Sequence, residues 1–351
     1  MQTPLESLID QVRAAHAAGT PLRLQGGDSK SFWVCAQAER TLDIRPYQGV
    51  VDYEPSELVL TVRAGTPLSE VEALLEAQGQ MLAFEPPHYG PHATLGGTIA
   101  CGLSGPRRAA AGSARDFVLG VRLIDGLGRD LSFGGQVIKN VAGFDLSRLM
   151  AGAFGSLGVI TEVSLKVLPK PPFELTLEWV LQEAAALERM NQWGGQPLPV
   201  SATSFHNGRL RARLSGAEVA VRAAQARLGG EVVADGAAWW NALREQSAAC
   251  FQTDKPLWRL AVKSSAPPLG LSGAVLTEWG GALRWVATDH AASQVQKAAR
   301  DAGGHALLLR GGHPAAPRFG GLDPILAQIH RRLKHAFDPK GIFNPGLPGN
   351  F

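Results

Sequence analysis

The sequence predicts an α+β protein, and three observations carry the prediction. Strand-like and helix-like segments alternate irregularly rather than as a strict βαβ series. Glycine is concentrated over residues 90–158, a use that lets backbone approach a ligand or another backbone closely. A breaker cluster, LPKPPFE at 168–174, separates that region from one of different texture. The expected division is a first domain over 1–172, a smaller α+β domain over 173–318 and a closing segment over 319–351.

In the opening PLESLIDQVRAAHAAG, Leu5, Leu8, Ile9 and Val12 recur at helical spacing and Gly19 stands at a C-cap position. No apolar run there suits a signal peptide or membrane span, so the expected address is cytoplasmic. Residues 57–65 predict a strand, and 67–80 a helix with Pro at its start and Gly at its stop. Residues 116–133 predict two strands joined at Asp125–Gly128. In 159–169, Val159, Thr161, Val163, Leu165 and Val167 share one strand face and Glu162, Ser164 and Lys166 the other. Beyond the breaker, helical segments (183–190, 217–228, 237–249) alternate with strand-like pieces (257–263, 283–288). Near the end, Ile325, Ile329, Leu333 and Phe337 form a helical stripe before a proline-rich stop.

Composition bounds the function. The chain has 351 residues, 45% hydrophobic and 19% charged, which is ordinary for a globular protein. A net charge of +3 with no basic block gives no case for nucleic acid. Cys35, Cys101 and Cys250 lie far apart and offer no disulfide framework, zinc spacing or iron–sulfur ligation.

The segment LQGGDSKS (24–31) raises a phosphate loop. A Walker loop needs glycine directly before the lysine, and Ser29 stands there. The dinucleotide fingerprint G-x-G-x-x-G is absent here and around Gly96-Gly97 as well. Two readings stay open. One is a nest of amides from Gly27, Asp28, Ser29 and Lys30 aimed at an anion, with the Asp28 carboxylate turned away or capping the loop. The other is a plain turn capping the next segment.

The ordered set ATLGGTIACGLSG, GSARDFVLGVRLID, RLMAGAFGSLGVITEVSLKVLPKP and FDPKGIFNPG resembles a known flavin-binding domain. That domain is shared by vanillyl-alcohol-oxidase-type and p-cresol-methylhydroxylase-type (VAO/PCMH) flavoenzymes. EPPHYGPHATLGGTIACGLSGPRR and GGQVIKNVAGFDLSRLMAGAFGSLGV are similar to the FAD-binding E subunits of bacterial glycolate oxidases (glycolate dehydrogenases). The resemblance implies an FAD domain of two α+β subdomains, a small cap, and a C-terminal segment returning to the flavin. It places Gly26, Gly27, Asp28, Ser29 and Lys30 at the pyrophosphate, and Gly96, Gly97, Thr98 and Gly102 along the ring and ribityl chain. Ser113 and Arg115 fall in the next flavin segment, and Gly158, Val159 and Ile160 at the adenine end. Asn344 lies in the returning segment, with Pro86, Pro87 and His88 shaping the pocket near the ring. The first loop holds no His or Cys, so non-covalent FAD is expected.

Oxidation of a 2-hydroxy acid needs a proton acceptor and a cationic clamp for the carboxylate. His88 and Tyr89 are the candidates for the first and Arg107, with Arg108, for the second. Asp145 is read as a helix cap beside Ser147. His305 and His313 lack the G-D-G of the family's metal motif and are read as ordinary histidines, so no metal is expected. Trp239, Trp240, Trp279 and Trp285 are expected mostly in a core. Two functions remain open. One is the FAD subunit of a hetero-oligomeric glycolate oxidase, working with a sister flavoprotein and an iron–sulfur subunit and reaching a membrane only through that complex. The alternative is a self-sufficient FAD-linked D-2-hydroxy-acid (lactate or glycolate) dehydrogenase.

Overall fold

A computed structural model of the chain describes residues 2–33, 38–135, 145–312 and 318–346. The chain divides into two compact units. The first comprises 1–104, 112–170 and 322–351, and the second 105–111 and 171–321. Residues 105–111 thus leave the first unit for the second, an excursion that begins at the Gly105-Pro106 pair.

The first unit is built on five antiparallel strands in the order Val50–Glu54, Val59–Arg63, Val159–Lys166, Val118–Ile124, Asp130–Gly134. The alternation in 159–167 decides which face is inward: Val159, Thr161, Val163, Leu165 and Val167 are all fully buried. The hairpin turn after Ile124 closes on a buried carboxylate. Asp125 Oδ1 accepts from Leu127 N at 3.0 Å and Arg129 N at 2.9 Å, while Oδ2 takes Arg129 Nε at 2.7 Å.

Beside this sheet lies a second, smaller assembly. Leu22–Gln25 pairs in parallel with Arg40–Asp43, and Phe343 bridges to Leu22 from the far end of the chain. The helix Pro4–Ala18 packs on it through Leu8, Val12 and Ala15. Its ends are fixed locally: Thr3 and Glu6 form a reciprocal capping box, and Gly19 closes the helix in the left-handed region at φ 64°. Leu68–Glu76 is the expected helix, begun at Pro67.

The second unit is an eight-stranded antiparallel sheet, from Glu231–Val232 at one edge to His305–Arg310 at the other. One face carries Leu177, Leu210, Ala212 and Leu214, packed against residues of the helices Glu183–Gly194 and Glu218–Leu228. Trp240, Trp279 and Trp285 are buried as expected and Trp239 half-buried. Each indole N–H is satisfied, by Ser204 Oγ (Trp239), Thr176 Oγ1 (Trp240), the Gly105 carbonyl (Trp279) and Glu278 Oε2 (Trp285).

The closing helix, Pro324–Phe337, forms where the stripe predicts it, but only its second half is anchored. Phe337 and Lys334 are buried while Ile325 and Ile329 face solvent. Periodicity reports that a helix has an apolar side, not that anything covers it. No helix among the described residues is long and apolar enough to cross a membrane.

Candidate functional site

The strand Leu22–Gln25 delivers the chain into the loop Gly26–Lys30, one wall of an open cleft in the first unit. Gly27 tolerates no larger residue, since a Cβ there would stand 1.4 Å from the His92 carbonyl oxygen. At Gly26 it would stand 2.5 Å from Thr94 Oγ1. Asp28 adopts φ 54°, and its carboxylate turns back to accept from Arg23 and, at 3.0 Å, from Gln25 Nε2. No hydrogen bond among the described residues uses the amides of Gly27, Asp28 or Ser29. Amides gathered in this way form a receptor for an anion. Residues 29–33 continue as turns, not as a helix that the loop would cap. Buried Lys30 adds a positive charge, its Nζ 3.3 Å from Ser29 Oγ and 3.4 Å from the His88 carbonyl.

The second wall is the short helix Leu95–Cys101, whose N-cap Thr94 accepts from Gly97 N at 3.3 Å. Gly96 N donates to the Ala64 carbonyl at 2.8 Å, and a Cβ at Gly96 would lie 2.6 Å from Ala64 Cβ. The missing side chain at Gly96 therefore lets the helix sit directly against the strand end. The third wall runs from Phe154 to Ile160, including Gly155 at φ 67° and Gly158. Asn344 ties the walls together. Its Oδ1 accepts from Leu24 N at 2.7 Å and its Nδ2 donates to the Phe154 carbonyl at 2.7 Å.

Behind this seam lies a buried ion pair. Lys334 Nζ donates to Asp338 Oδ2 at 2.7 Å, to the Ser156 carbonyl at 2.6 Å and to the Phe343 carbonyl at 3.2 Å. Asp338 in turn accepts from the amides of Ile342 at 3.0 Å and Phe343 at 2.8 Å. Burial pulls the Lys334 ammonium below its ordinary value, and the Asp338 carboxylate opposes that pull. Chain termini more than 300 residues apart in sequence are joined here, through Leu22 N to the Ile342 carbonyl at 2.7 Å.

Cys101 also borders the cleft. Burial pushes its thiol up to about 11 against a partial opposing pull from Lys30, and burial raises Cys250 to about 11 as well. With an ordinary thiol at 9.0, iodoacetamide should modify Cys101 about a hundredfold more slowly than an unperturbed cysteine near neutral pH. The thiolate absorbance of these two residues should rise only near pH 11. The sign for stability follows: thiols whose folded pKa is raised contribute fully below pH 9 and lose that contribution as pH climbs toward 11. Denaturant midpoints measured across this range check it.

Ten of the residues anticipated from the sequence line the cleft: Gly26, Gly27, Asp28, Ser29, Lys30, Gly96, Gly97, Gly158, Ile160 and Asn344. Others lie behind its walls. Val159 is core, packed with Leu22, Ile124 and Phe343. Thr98 is buried within the short helix, and Gly102 ends that helix at φ 64°, tight against Gly152. Ser113 caps Ala114–Phe117 through Asp116, with Arg115 exposed on that turn. Pro87 is buried in the segment before the glycines. Asp145 is a helix N-cap, accepting from Ser147 Oγ at 2.6 Å and Arg148 N at 3.2 Å.

The chemical candidates fall in both units. His88 pairs with Glu72, Nε2 to Oε2 at 2.9 Å, and its carbonyl meets Lys30. Tyr89, at φ 53°, packs edge-on against Phe32 with its ring 5.7 Å from Lys30 Nζ. Arg107 belongs to the second unit, where it pairs with Glu174 at 2.5 Å. Burial raises the Glu174 carboxyl, but the Ser215 hydroxyl with Arg213 and Arg107 outweighs this and holds it low. His313, Cys35 and residues 136–144 of the KNVAGF segment lie outside the described residues. Among the described residues no group of His, Cys, Asp and Glu could hold a metal ion.

Sequence reasoning passed over Thr94, Phe154, Gly155 and Glu72. Thr94 has a detectable signal, a hydroxyl residue directly before the helix start. Phe154, at φ 53°, and Glu72, met through a fold contact, have none.

A family model described as an FAD binding domain matches residues 3–134. The glycolate oxidase subunit GlcE of Escherichia coli (strain K12) is 48% identical over 344 residues, covering 97% of this chain and 96% of that protein. The glycolate oxidase subunit GlcD of Bacillus subtilis (strain 168) is 33% identical over 130 residues, 36% of this chain and 27% of that protein. A solved structure of alkyldihydroxyacetonephosphate synthase shares the fold with TM-score 0.66 at 16% identity, over 97% of this chain and 75% of that one.

Proposed function

The chain belongs to the family of the glycolate oxidase subunit GlcE, whose members carry an FAD binding domain, and on that premise we propose that it is the FAD-carrying subunit of a hetero-oligomeric glycolate oxidase. The complex would oxidise glycolate to glyoxylate while an acceptor is reduced. The observation that carries the reading is the cleft itself. A diphosphate-bearing dinucleotide fits its free amides at Gly27–Ser29, its buried Lys30 and walls that include Gly96, Gly97, Gly155 and Gly158. When bound, FAD supplies the two-electron acceptor for hydroxy-acid oxidation. The loop and Lys30 would bind the diphosphate and offset part of its charge, and Asn344 holds two walls at a fixed separation.

Two features support a chain that works with partners. Its three cysteines cannot supply the four thiolates of an iron–sulfur cluster, so in this reading any iron–sulfur relay lies on another subunit. The relative GlcD, similar to this chain over 130 residues, is itself named as a glycolate oxidase subunit, which suits a sister flavoprotein. FAD is held non-covalently in this reading. The first loop has no tethering side chain, and the Cys101 thiol is kept protonated at neutral pH.

Mixing the isolated chain with glycolate under anaerobic conditions, alone and with the sister subunit, tests this. The flavin should stay oxidised alone and bleach once the partner is added. Rapid bleaching without a partner would instead establish the self-sufficient dehydrogenase. Acid precipitation should release the yellow chromophore into the supernatant, and chromophore retained in the pellet would overturn non-covalent binding.

A further inference from the structure

Between the strands Ala274–Glu278 and Leu283–Ala287 the chain passes three consecutive residues at positive φ: Trp279 at 54°, Gly280 at 65° and Gly281 at 100°. Glycine suits such a turn. An aromatic residue there is an outlier that the surrounding structure has to hold in place. The Trp279 side chain is buried, and two of its contacts lie on the excursion 105–111. Its indole N–H donates to the Gly105 carbonyl at 3.1 Å, and the Arg108 guanidinium stands over its ring at 4.4 Å. Arg259 lies over the ring at 5.0 Å, and Thr203 Oγ1 accepts from Gly280 N at 2.8 Å, which pins the turn. An indole supplies both an N–H donor and a ring face for two guanidinium groups. The excursion is held a second time through Arg107, paired with Glu174 on the strand Phe173–Val180.

The near end of the excursion is close in sequence to the cleft. Cys101, which ends the helix Leu95–Cys101, lines the cleft, and only Gly102, Leu103 and Ser104 separate it from Gly105. These few residues reach at most about 14 Å, and each is already committed. Gly102 closes the helix at φ 64° with its N–H on the Thr98 carbonyl at 3.0 Å. Leu103 is buried, and the Ser104 hydroxyl accepts from Ala114 N at 2.9 Å. No loose residue is left to absorb a shift at Gly105, which therefore passes to the helix end. We propose that Trp279 is a positioning residue for the bound flavin: by holding the Gly105 carbonyl it fixes where the helix Leu95–Cys101 stands in the cleft. The proposal rests on the FAD reading above and adds to it a residue of the second unit that is not among those lining the cleft.

The test uses the full chain and reads the flavin directly. Trp279→Leu removes both the N–H and the ring face. It should raise the FAD dissociation constant about fivefold or more and shift the visible absorbance bands of the bound flavin. Trp279→Phe keeps the ring face and loses only the donor, so it should fall between wild type and Trp279→Leu on both readouts. Trp193→Leu is the control for simple loss of packing in the second unit. Trp193 is buried with Ala186, Leu187, Met190 and Ala212, so its loss should lower the thermal midpoint and leave flavin bands and affinity unchanged. Wild-type bands and affinity in both Trp279 variants overturn the proposal. So does an equal change in Trp193→Leu, which would make flavin binding a measure of second-unit stability. Should Trp279→Leu fail to fold, Trp279→Phe decides alone. A wild-type chain that takes up no FAD defeats the cofactor reading and this inference together. Normal FAD uptake by the wild type, with no change in the Trp279 variants, defeats this inference alone.

Discussion

Gly27→Ala should yield a protein that purifies without flavin. The added Cβ would lie 1.4 Å from the His92 carbonyl oxygen, a backbone atom that cannot rotate away. Either the loop Gly26–Lys30 or the segment leading to Thr94 has to shift, and both line the cleft. Overpacking of this kind costs about 3 kcal/mol, which is roughly a hundredfold in affinity if it falls on the bound conformation. The ratio of flavin to protein absorbance and a titration with free FAD measure it. Gly194→Ala is the control: nothing lies within 4 Å of its Cβ, and flavin content should be unchanged. Normal FAD binding by Gly27→Ala would mean that the loop does not hold the cofactor.

Lys334→Met should be the most destabilising single change in the first unit. It leaves the Asp338 carboxylate, which is fully buried, with two backbone amides and no counter-charge. Breaking a buried pair from one side typically costs about 3–5 kcal/mol, or roughly 10 °C in Tm for a unit of this size. The lost bonds to Ser156 and Phe343 loosen the wall and the returning strand together, so FAD affinity should fall with stability. Adding Asp338→Asn removes the stranded charge and should recover part of the loss. Chemical denaturation of the two variants against wild type distinguishes charge from packing, because simple cavity formation would not be relieved by the second substitution.

The two substitutions sit at opposite ends of what can be read from a sequence. Gly27 belongs to a local signal: a strand, two glycines, a hydroxyl residue and a lysine within one short segment. Lys334 reads as one more cation on a basic helix, and only the fold shows it buried against Asp338 and the Ser156 carbonyl. The same contrast holds elsewhere. The alternation in 159–167 told which side chains would be buried because a strand repeats every two residues and both faces are visible in the text. The stripe Ile325, Ile329, Leu333, Phe337 looks equally clear, yet its first half is exposed.

For this protein the sequence alone determined the α+β class, most helix and strand positions, the glycine-walled cleft residues and the family. These are properties of short segments and of motifs in a fixed order, and local backbone preference specifies them. The tertiary structure decided how Asp28 is compatible with an anion loop, by turning it back onto Arg23 and Gln25. It also moved residues 105–111 into the second unit with Arg107, paired His88 with Glu72, and left the start of the closing helix uncovered. Each of these depends on contacts between segments far apart in the chain. A sequence lists the groups that can pair or be buried, and only closure of the fold selects which of them meet.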